Sequence, residues 1–364
     1  MRVVQLGLKI SYGDAVSNDL LAIDSLLKAH GIESLIYARE FDRRYRGRVK
    51  SFQKIPALKK DDILLYHMAA AGGFNEYIRR QSCIKVIRYH NLTPPHFYKY
   101  YNEGNYRACI KGISEVKELR DYTDYCINDS DYNSSDLRKY GYGCPMYTVP
   151  IIMAFTEYDR EVDPVMYNRL KDGRINILFT GRMVPNKKIE DLIEVFYYYK
   201  KYWNENARII LAGSFDKKEA YCRKLLDYIE KLGINDIYIT GHIPFESLLA
   251  CYKASDVYLS LSEHEGFCVP LVEAMYFNIP IVTYTAGAVS STMGDNTITL
   301  KSKDPIETAG VVDRIVTDGS LRENIIKTQK ENLKRFLPET TGKQFIEAIK
   351  HISENYKINE EKCV

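Results

Sequence analysis

The chain has 364 residues, of which 45% are apolar and 27% are charged, and its net charge at pH 7 is +3; these ordinary values indicate a folded globular protein and exclude intrinsic disorder. The longest apolar windows, Met146–Phe155 and Asn278–Tyr284, are well short of the roughly 20 residues that span a bilayer, and the chain does not begin with a secretory signal pattern. The eight cysteines are scattered without a C-x-x-C pair, so we expect neither a zinc site nor a disulfide framework, and we expect a cytoplasmic protein.

The first part of the chain alternates apolar strand patterns with the helical spacing of apolar residues. A first strand over Val3–Leu8 precedes a helix over Ser17–His30, which Gly31 ends. Further strands are predicted over Ile32–Ala38, Asp62–Met68, Ile84–His90 and Asp124–Asn128, and helices around Ser114–Asp121 and Tyr132–Tyr140. After Pro150 we expect an irregular, charged stretch that ends near Gly173.

The alternation then restarts and continues almost to the end of the chain. The predicted strands are Ile175–Thr180, Ala207–Ala212, Asp236–Thr240, Asp256–Leu261 and Ile279–Tyr284. The predicted helices are Ile189–Tyr202, Lys217–Leu232, Phe245–Lys253, Val269–Phe277, Pro305–Thr317, Leu321–Phe336 and Thr341–Tyr356.

This pattern predicts an α/β protein with two doubly wound, Rossmann-like domains that face a central cleft. The expected domains are residues 1–150 and 174–340, joined by a linker over 151–173, and residues 341–364 form a last helix. Ligands of such sheets bind beyond the carboxyl ends of the strands. A nucleotide-dependent oxidoreductase would have the same architecture, but it requires G-x-G-x-x-G after a first strand, and neither Leu6–Asn18 nor Gly181–Ile189 contains it.

Basic residues are concentrated in the segment Arg39–Lys60, which we call the basic segment. It holds nine Lys and Arg against two acids, Glu40 and Asp42, and it is poor in apolar residues, so we expect an exposed loop. The segment is either a solvated surface or a surface that attracts anionic phosphate, on lipid headgroups or on a phosphorylated acceptor.

The run from Ser260 to Met275 carries the strongest indication of a site. A strand ends near Leu261, a turn contains Gly266, and a helix starts near Val269 with Pro270 in its first turn, where a missing N–H costs nothing. The positive end of the helix dipole and free backbone N–H groups suit a phosphate or pyrophosphate. The N–H groups concerned are those of Phe267, Cys268 and Val269.

Two pairs of charged residues accompany this turn. Glu265 lies at the edge of the loop and Glu273 about one helical turn inside, in an otherwise apolar stretch, and a carboxylate can accept hydrogen bonds from two sugar hydroxyls. Arg182 and Lys187 follow the strand Ile175–Thr180, where two fixed cations would neutralise a departing diphosphate. Loop residues of this kind are otherwise solvated, and the adjacent Lys188 is an alternative to Lys187.

Glu265 to Glu273 resembles the E-x7-E signature of glycosyltransferase family 4, whose members have the GT-B fold. The flanking residues also agree: Glu-Gly-Phe at 265–267, Pro270, Glu-Ala-Met at 273–275, Ile-Pro-Ile-Val at 279–282 and Gly-Ala at 287–288. Upstream, Phe179–Lys187 looks like the G-R-x-x-x-x-K element of the family, although Lys188 stands where relatives usually have Gly. The resemblance covers most of residues 174–290, and the N-terminal half matches in outline.

The resemblance implies a retaining hexosyltransferase that uses a nucleotide-diphosphate sugar, GDP-mannose or a UDP-hexose, in cell-surface polysaccharide synthesis. The acceptor would be a saccharide or lipid-linked and would bind residues 1–150, and the donor would bind residues 174–340. No metal, other cofactor or nucleic acid is implied, and a peripheral position at the inner face of the membrane is compatible with it. The alternative is a non-catalytic nucleotide-sugar-binding subunit, which loss of Glu265, Arg182 or Lys187 would favour; all three are present.

The resemblance also assigns roles to single residues. Arg182 and Lys187 would hold the diphosphate, Glu273 the ribose and Glu265 the transferred sugar. The remaining residues implied on the donor side are Gly181, Gly241, His242, Gly266, Phe267, Cys268 and Val269, with Gly241 and His242 near the base. The last helix would cross back to the first domain.

In the N-terminal half, the segment Ser11–Asn18 resembles the Gly-rich loop of the family, with Gly13 as its single glycine. A helix N-cap by Asp14 or Ser17 is the alternative interpretation. His90, at a strand end, resembles the histidine placed against the donor sugar; a purely structural histidine is the alternative. Asp129-Ser130-Asp131 is a D-x-D, which we interpret as a helix start and not as a metal site, with Ser130 and the aspartates as candidate caps.

Overall fold

The computed structural model describes residues 1–294 and 297–362, with side chains described as far as Tyr356. The chain forms two compact units. Unit 1 consists of Met1–Pro95, Gly104–Phe155 and the segment from Arg335 onward, and unit 2 of His96–Glu103 and Thr156–Lys334. The sequence-based boundaries are 150, 173 and 340, whereas the structure changes from one unit to the other after Phe155 and before Arg335.

Unit 1 contains a seven-stranded sheet with the order β3-β2-β1-β4-β5-β6-β7, in which every neighbouring pair is parallel. Its apolar strands are buried because helices cover the sheet, as expected for parallel strands. The strands are β1 (Arg2–Ile10), β2 (Glu33–Phe41), β3 (Val49–Ser51), β4 (Ile63–Met68), β5 (Ile84–Tyr89), β6 (Tyr125–Asn128) and β7 (Met146–Thr148).

The basic segment is largely exposed, as the sequence predicts, but it is not entirely a loop. Strand β2 continues to Phe41, and the short edge strand β3 pairs with it in parallel and buries Val49. Among the basic side chains, Arg39 donates to the carbonyls of Gly72 and Gly73, and Arg48 pairs with the buried carboxylate of Asp24. The strand β3 was missed because one buried valine among charged residues is too weak a pattern to indicate a strand.

The helices of the first part of the chain are α1 (Ala15–Ala29), α2 (Asn75–Arg79), α3 (Glu103–Leu119) and α4 (Asp131–Lys139). Asp14 begins α1, since its carboxylate accepts a hydrogen bond from the backbone N–H of Ser17 at 2.9 Å. The helix buries Leu20, Ile23 and Leu27, which are spaced for one helical face.

Unit 2 contains a five-stranded parallel sheet with the order β10-β9-β8-β11-β12. Its strands are β8 (Ile175–Thr180), β9 (Ala207–Ala212), β10 (Ile237–Gly241), β11 (Val257–Ser260) and β12 (Ile281–Thr283). Since β8 and β11 are neighbours and run in the same direction, the loops that follow them emerge side by side.

Eight helices of unit 2 are described, and they include one in the region predicted to be irregular. They are α5 (Pro164–Leu170), α6 (Ile189–Tyr202), α7 (Ala220–Leu232), α8 (Phe245–Ala254), α9 (Val269–Tyr276), α10 (Val289–Met293), α11 (Pro305–Thr317) and α12 (Gly319–Leu333). Helix α5 was missed, although Asp163 caps it by accepting from the N–H groups of Val165 and Met166 and Pro164 is its first residue. With seven residues it is too short for its periodicity to be visible.

The segment His96–Glu103 lies in unit 2 although its neighbours in sequence belong to unit 1. Tyr101 packs edge-on against Tyr221 with the ring centroids 5.2 Å apart, and Asn102 donates to the carboxylate of Glu219. These contacts attach the segment to the start of α7.

The last helix, α13 (Pro338–Lys362), belongs to unit 1. It buries Phe345, Ile349 and Ile352 in the cluster that also contains Val3 and Ile63. The helix therefore completes a face of the first sheet although it follows unit 2 in the sequence. Within residues 1–294 and 297–362, none of the helices combines the length and the apolar character that crossing a membrane requires.

Candidate functional site

The loop between β11 and α9 turns through a residue in a conformation that usually requires glycine. Cys268, directly before α9, has φ +72°, and Pro270 occupies the first turn. Neighbouring backbone holds this turn: Ala288 N–H donates to the carbonyl of Glu265 at 2.9 Å. Gly287 makes this approach possible, because a Cβ there would lie 2.3 Å from the Glu265 carbonyl oxygen.

Lys187 and Glu265 form an ion pair between the two adjacent loops. The ammonium group donates to both carboxylate oxygens, at 2.6 and 2.7 Å, and only 6% of Glu265 is exposed. Burial disfavours the charged amine, but the carboxylate outweighs this effect and the pKa of Lys187 is raised. An ammonium has three N–H donors, so one remains for a further anionic oxygen.

Backbone contacts fix the two loops to each other. Glu263 N–H donates to the carbonyl of Asn186 at 2.9 Å, and the Asn186 side chain donates to the carbonyl of His264. On the other side of the β8 loop, a Cβ on Gly213 would lie 1.9 Å from the carbonyl oxygen of Gly181, and both glycines have φ near +147°. The loop after β8 is therefore held at its start and at its end.

The other two basic residues of this loop differ from Lys187. Arg182 is exposed, and its side chain makes no hydrogen bond or ion pair with any part of the chain that the structure describes, so its guanidinium is available to a ligand. Lys188 has φ +52° and lies 3.6 Å from a carboxylate oxygen of Glu263 and 3.9 Å from one of Glu190. The positive φ favours glycine at this position, and the contacts direct Lys188 away from Glu265.

Glu273 lies inside the first helical turns of α9, and tyrosines bind both of its carboxylate oxygens. Tyr158 donates to Oε1 at 2.9 Å and Tyr252 to Oε2 at 2.5 Å. Burial raises the pKa of Glu273, and the two hydrogen bonds oppose part of that rise. The sequence pattern gave no indication of either tyrosine.

Gly241 and His242 lie at the carboxyl end of β10. Gly241 ends the strand with φ +68°, and His242 is exposed directly after it. Two strands separate β10 from β11 in the sheet. These residues thus lie at the carboxyl edge of the sheet, as the resemblance implies.

In unit 1, Gly13 lies in the turn that precedes α1. It has φ +73°, and a Cβ at this position would meet no atom within 4 Å. Asp14 caps the helix, and its carboxylate also accepts from the Ser17 hydroxyl, whose oxygen in turn accepts from Ser11 N–H at 3.0 Å. The capping interpretation of this loop is therefore correct for Asp14.

His90 belongs to a buried group of polar side chains that we call the Arg88 cluster. It consists of Gln5, Asp19, His67, Arg88, His90 and Asp129. His90 Nδ1 lies 2.8 Å from Asp129 Oδ2, and His90 Nε2 lies 3.0 Å from His67 Nδ1. Both ring nitrogens of His90 are thus occupied within unit 1, so a contact between its ring and a sugar hydroxyl would require an exchange of partners.

Arg88 is fully buried at the centre of the cluster. Its guanidinium pairs with Asp19 at 2.9 Å and with Asp129 at 3.1 Å, and it donates to the carbonyl of Val149. Burial lowers the pKa of His67 well below its ordinary value, so this ring is neutral near pH 7. Sequence reasoning missed Asp19, His67 and Arg88; for His67 and Arg88 the available indication was an imidazole or charged side chain inside an apolar strand pattern.

Comparison with known proteins identifies the architecture. Residues 167–332 match the family model described as "Glycosyl transferases group 1". Over 96–97% of the chain, the structure resembles sucrose-phosphate synthase from Thermosynechococcus elongatus (TM-score 0.75, 16% identity, 99% of that chain) and Anabaena HepE in complex with UDP-glucose (TM-score 0.74, 17% identity, 100% of that chain). The chain has the GT-B fold.

Curated relatives of this GT-B protein are glycosyltransferases. An uncharacterized glycosyltransferase from Methanocaldococcus jannaschii is 30% identical over 167 residues, which are 45% of this chain and 41% of the relative. The O-antigen chain mannosyltransferase B of Escherichia coli is 22% identical over 299 residues, 81% of this chain and 76% of the relative. The match to the M. jannaschii protein thus spans less than half of that relative.

The D-x-D of this GT-B protein begins α4, as the sequence predicts. Ser130 caps the helix, since its hydroxyl oxygen accepts from Asn133 N–H at 3.2 Å, whereas Asp131 accepts from the hydroxyl of Thr148. Asp129 is not a cap but a member of the Arg88 cluster. The predicted cap is therefore confirmed for Ser130, and a capping role of the two aspartates is wrong because other partners bind both carboxylates.

Asp19, His67 and His90 bring possible metal-ligand atoms within 4.8 Å of one another. The residues do not suit a metal ion, since both carboxylate oxygens of Asp19 already accept from the Arg88 guanidinium and the Ile152 N–H donates to Oδ1. A cation there would also lie beside the Arg88 charge.

Proposed function

We propose that the protein is a retaining glycosyltransferase that moves a hexose from a nucleotide-diphosphate sugar to a saccharide or lipid-linked acceptor. The observation that carries this proposal is the Lys187–Glu265 pair beside the start of α9, with Glu273 inside the same helix. Cation, carboxylate and helix N-terminus are the groups that a sugar diphosphate requires, and they meet at the carboxyl edge of a parallel sheet.

In this proposal Arg182 and Lys187 stabilise the charge that develops on the departing diphosphate. Arg182 contributes an unengaged guanidinium, and Lys187 contributes its third N–H while Glu265 holds the other two. The N-terminus of α9 adds the positive end of its dipole. Side chains and backbone then carry the charge that a divalent metal would otherwise neutralise, so we expect full activity in EDTA.

The remaining roles concern the two sugars of the donor. Glu273 accepts hydrogen bonds from the ribose hydroxyls, and Glu265 contacts the transferred hexose. The acceptor hydroxyl attacks the anomeric carbon on the face that the diphosphate leaves. The anomeric C–O bond to phosphate breaks as the new C–O bond forms, and the leaving phosphate oxygen takes the proton of the acceptor hydroxyl. No separate general base is then needed.

The names of similar proteins support a donor class and a biological context. Similarity to an O-antigen mannosyltransferase supports GDP-mannose and polysaccharide synthesis, and the likeness to HepE, whose structure contains UDP-glucose, supports a UDP-hexose. A lipid-linked acceptor would bring the protein to the inner face of a membrane. The basic segment, with exposed Arg43, Arg46, Lys50 and Lys54, would then attract the anionic surface.

A panel of nucleotide sugars tests the proposal. We expect GDP-mannose or one UDP-hexose to raise the melting temperature and to be hydrolysed slowly without acceptor, both in buffer containing EDTA. NMR of the sugar released or transferred should show the anomeric configuration of the donor. If none of the nucleotide sugars binds, the proposal is overturned. Inversion of the anomeric configuration would overturn the retaining mechanism. Loss of activity in EDTA that Mg²⁺ restores would overturn metal independence.

A further inference from the structure

Glu273 is held by two tyrosines that come from separate elements of unit 2. Tyr158 lies in the turn Phe155–Asp159, and Tyr252 lies on α8. Each tyrosine donates to a different oxygen of the same carboxylate. In the proposed function Glu273 binds ribose, and these two residues have no role there.

We propose that Tyr158 and Tyr252 are positioning residues that fix the Glu273 carboxylate in the orientation that receives two adjacent ribose hydroxyls. This inference rests on the proposed function of Glu273. Each carboxylate oxygen has about two acceptor positions. The tyrosines take one on each oxygen, so one remains on each, and the two that remain match the pair of hydroxyls on a ribose ring.

Tyr252 is itself held firmly. Its side chain is 1% exposed, its hydroxyl oxygen lies 2.7 Å from Oγ1 of Thr180, and its ring stacks on Phe277 with centroids 5.0 Å apart. Thr180 is the last residue of β8 and directly precedes Gly181 and Arg182. Tyr252 thus connects the ribose carboxylate to the strand that carries the diphosphate-binding loop.

Tyr158 is held by aromatic packing on three sides. Its ring centroid lies 5.7 Å from that of Phe245, 5.4 Å from that of Tyr276 and 5.9 Å from that of Phe277. Packed aromatic residues lose little conformational freedom on binding a ligand, so the hydroxyl presents a fixed donor. The carboxylate between Tyr158 and Tyr252 therefore does not have to be ordered when the nucleotide arrives.

The tyrosines also favour the ionised form of Glu273. Burial favours the neutral acid, and the two phenol hydrogen bonds favour the carboxylate. The other titratable groups beside them are Tyr276, which donates to Asp159, and Tyr258, whose hydroxyl lies near Thr180. Removing one phenol hydroxyl raises the pKa of Glu273, and since a neutral carboxyl accepts hydrogen bonds less well, nucleotide affinity should fall as the pH decreases.

Calorimetry with UDP and GDP as probes, at pH 8 and pH 6, tests the inference. We expect Tyr158→Phe and Tyr252→Phe each to weaken binding of the preferred nucleotide about tenfold at pH 8, and more at pH 6 relative to wild type. Titration of the nucleotide phosphate affects all proteins alike and cancels in this ratio. Tyr276→Phe, which removes a neighbouring hydroxyl that binds Asp159, is the matched control and should retain wild-type affinity.

The variant Glu273→Gln distinguishes a failure of the proposed ribose contact from a failure of the positioning role of the tyrosines. Unchanged nucleotide affinity in Glu273→Gln would overturn the proposed ribose contact itself. Weak binding in Glu273→Gln together with wild-type affinity and pH dependence in Tyr158→Phe would overturn the positioning role alone. Tyr252→Phe loses its contact with Thr180 as well, so its melting temperature is measured; Tyr158→Phe decides the question if Tyr252→Phe does not fold.

Discussion

In unit 2 the candidate donor residues stand on loops that follow strand ends, and one of them is exposed, whereas in unit 1 the Arg88 cluster is buried at the carboxyl ends of its strands. Arg182, Lys187 and Glu265 follow β8 and β11 within a few residues, and Arg182 remains exposed. Arg88 and His67, in contrast, are the next-to-last residues of β5 and β4 and are buried. Loop residues can turn toward a ligand. Buried polar residues must instead form hydrogen bonds and ion pairs with one another, because water cannot reach them.

We therefore expect variants in the two units to have different consequences, on activity in one case and on stability in the other. The unit 2 residues should affect ligand binding and turnover with little effect on folding. The Arg88 cluster should affect folding first, because a buried charge without its partner is costly. The predictions below test that separation, beginning with the largest expected effect.

Arg88→Met should reduce the free energy of unfolding by about 3–5 kcal/mol, because Asp19 and Asp129 would remain buried without their common partner. Urea denaturation measures this change. Arg80→Met is the control, since Arg80 pairs only with the exposed Glu76, and its effect should stay within about 0.5 kcal/mol. Equal stability of the two variants would contradict the structural role of the cluster.

Arg182→Ala and Lys187→Ala should each lower turnover on the order of 10²-fold and weaken donor binding less, because they act on charge that grows in the transition state. Circular dichroism melting should show a near-native fold for Arg182→Ala, which loses no described contact. Lys187→Ala and Lys187→Met both leave Glu265 without this partner, but Lys187→Met keeps a similar volume and is the better-matched variant, with its melting temperature measured as well. Unchanged turnover in both positions would refute the mechanism.

The strands and helices of unit 2 that carry these residues could be predicted from the sequence, whereas the hydrogen-bond partners of the site residues could not. Strand β8 and helix α6 have the predicted limits, because long apolar runs with regular spacing determine them. Tyr158, Tyr252 and Asp19 could not be found in this way. Each acts through a hydrogen bond to a residue 21 to 115 positions away, and a single sequence contains no record of such distances.

Two short elements were also not predicted from the sequence. The helix Pro164–Leu170 and the strand Val49–Ser51 are too brief for periodicity, although Asp163 and Pro164 together form a recognisable helix start. The D-x-D was assigned to the correct helix, and Ser130 was among its predicted caps, but the partner of Asp129 was not predicted because Asp129 contacts Arg88 only in the folded chain. The buried ion pair with Arg88 outweighs the local preference of Asp129 for a helix N-cap.

His67 predicts a smaller, pH-dependent effect within unit 1. Its pKa is lowered by burial, so the unfolded chain takes up a proton at this site near pH 6.5 that the folded chain does not. Stability should therefore decrease as the pH falls below that value, by about 1–2 kcal/mol between pH 7.5 and pH 5. In His67→Gln the decrease should be smaller by that amount, as measured by urea denaturation at both values. Identical slopes would show that His67 does not titrate on unfolding.

The basic segment should give the smallest effect, because its charges are exposed and screened. Each Lys or Arg near an anionic bilayer adds about 1 kcal/mol, and the Debye length is only about 8 Å at physiological salt. We expect co-sedimentation with vesicles containing anionic lipid at low salt, and release as salt is raised. Vesicles of neutral lipid should bind much less.

The basic residues of this segment differ in whether their charge can be reversed without disturbing the fold. Arg39 and Arg48 hold backbone carbonyls and Asp24, so reversing their charge would disturb folding. Reversal of the exposed Arg43, Arg46 and Lys50 to Glu should abolish vesicle binding and leave the melting temperature unchanged. If binding survives that reversal, or is absent from wild type at low salt, the segment is a solvated surface.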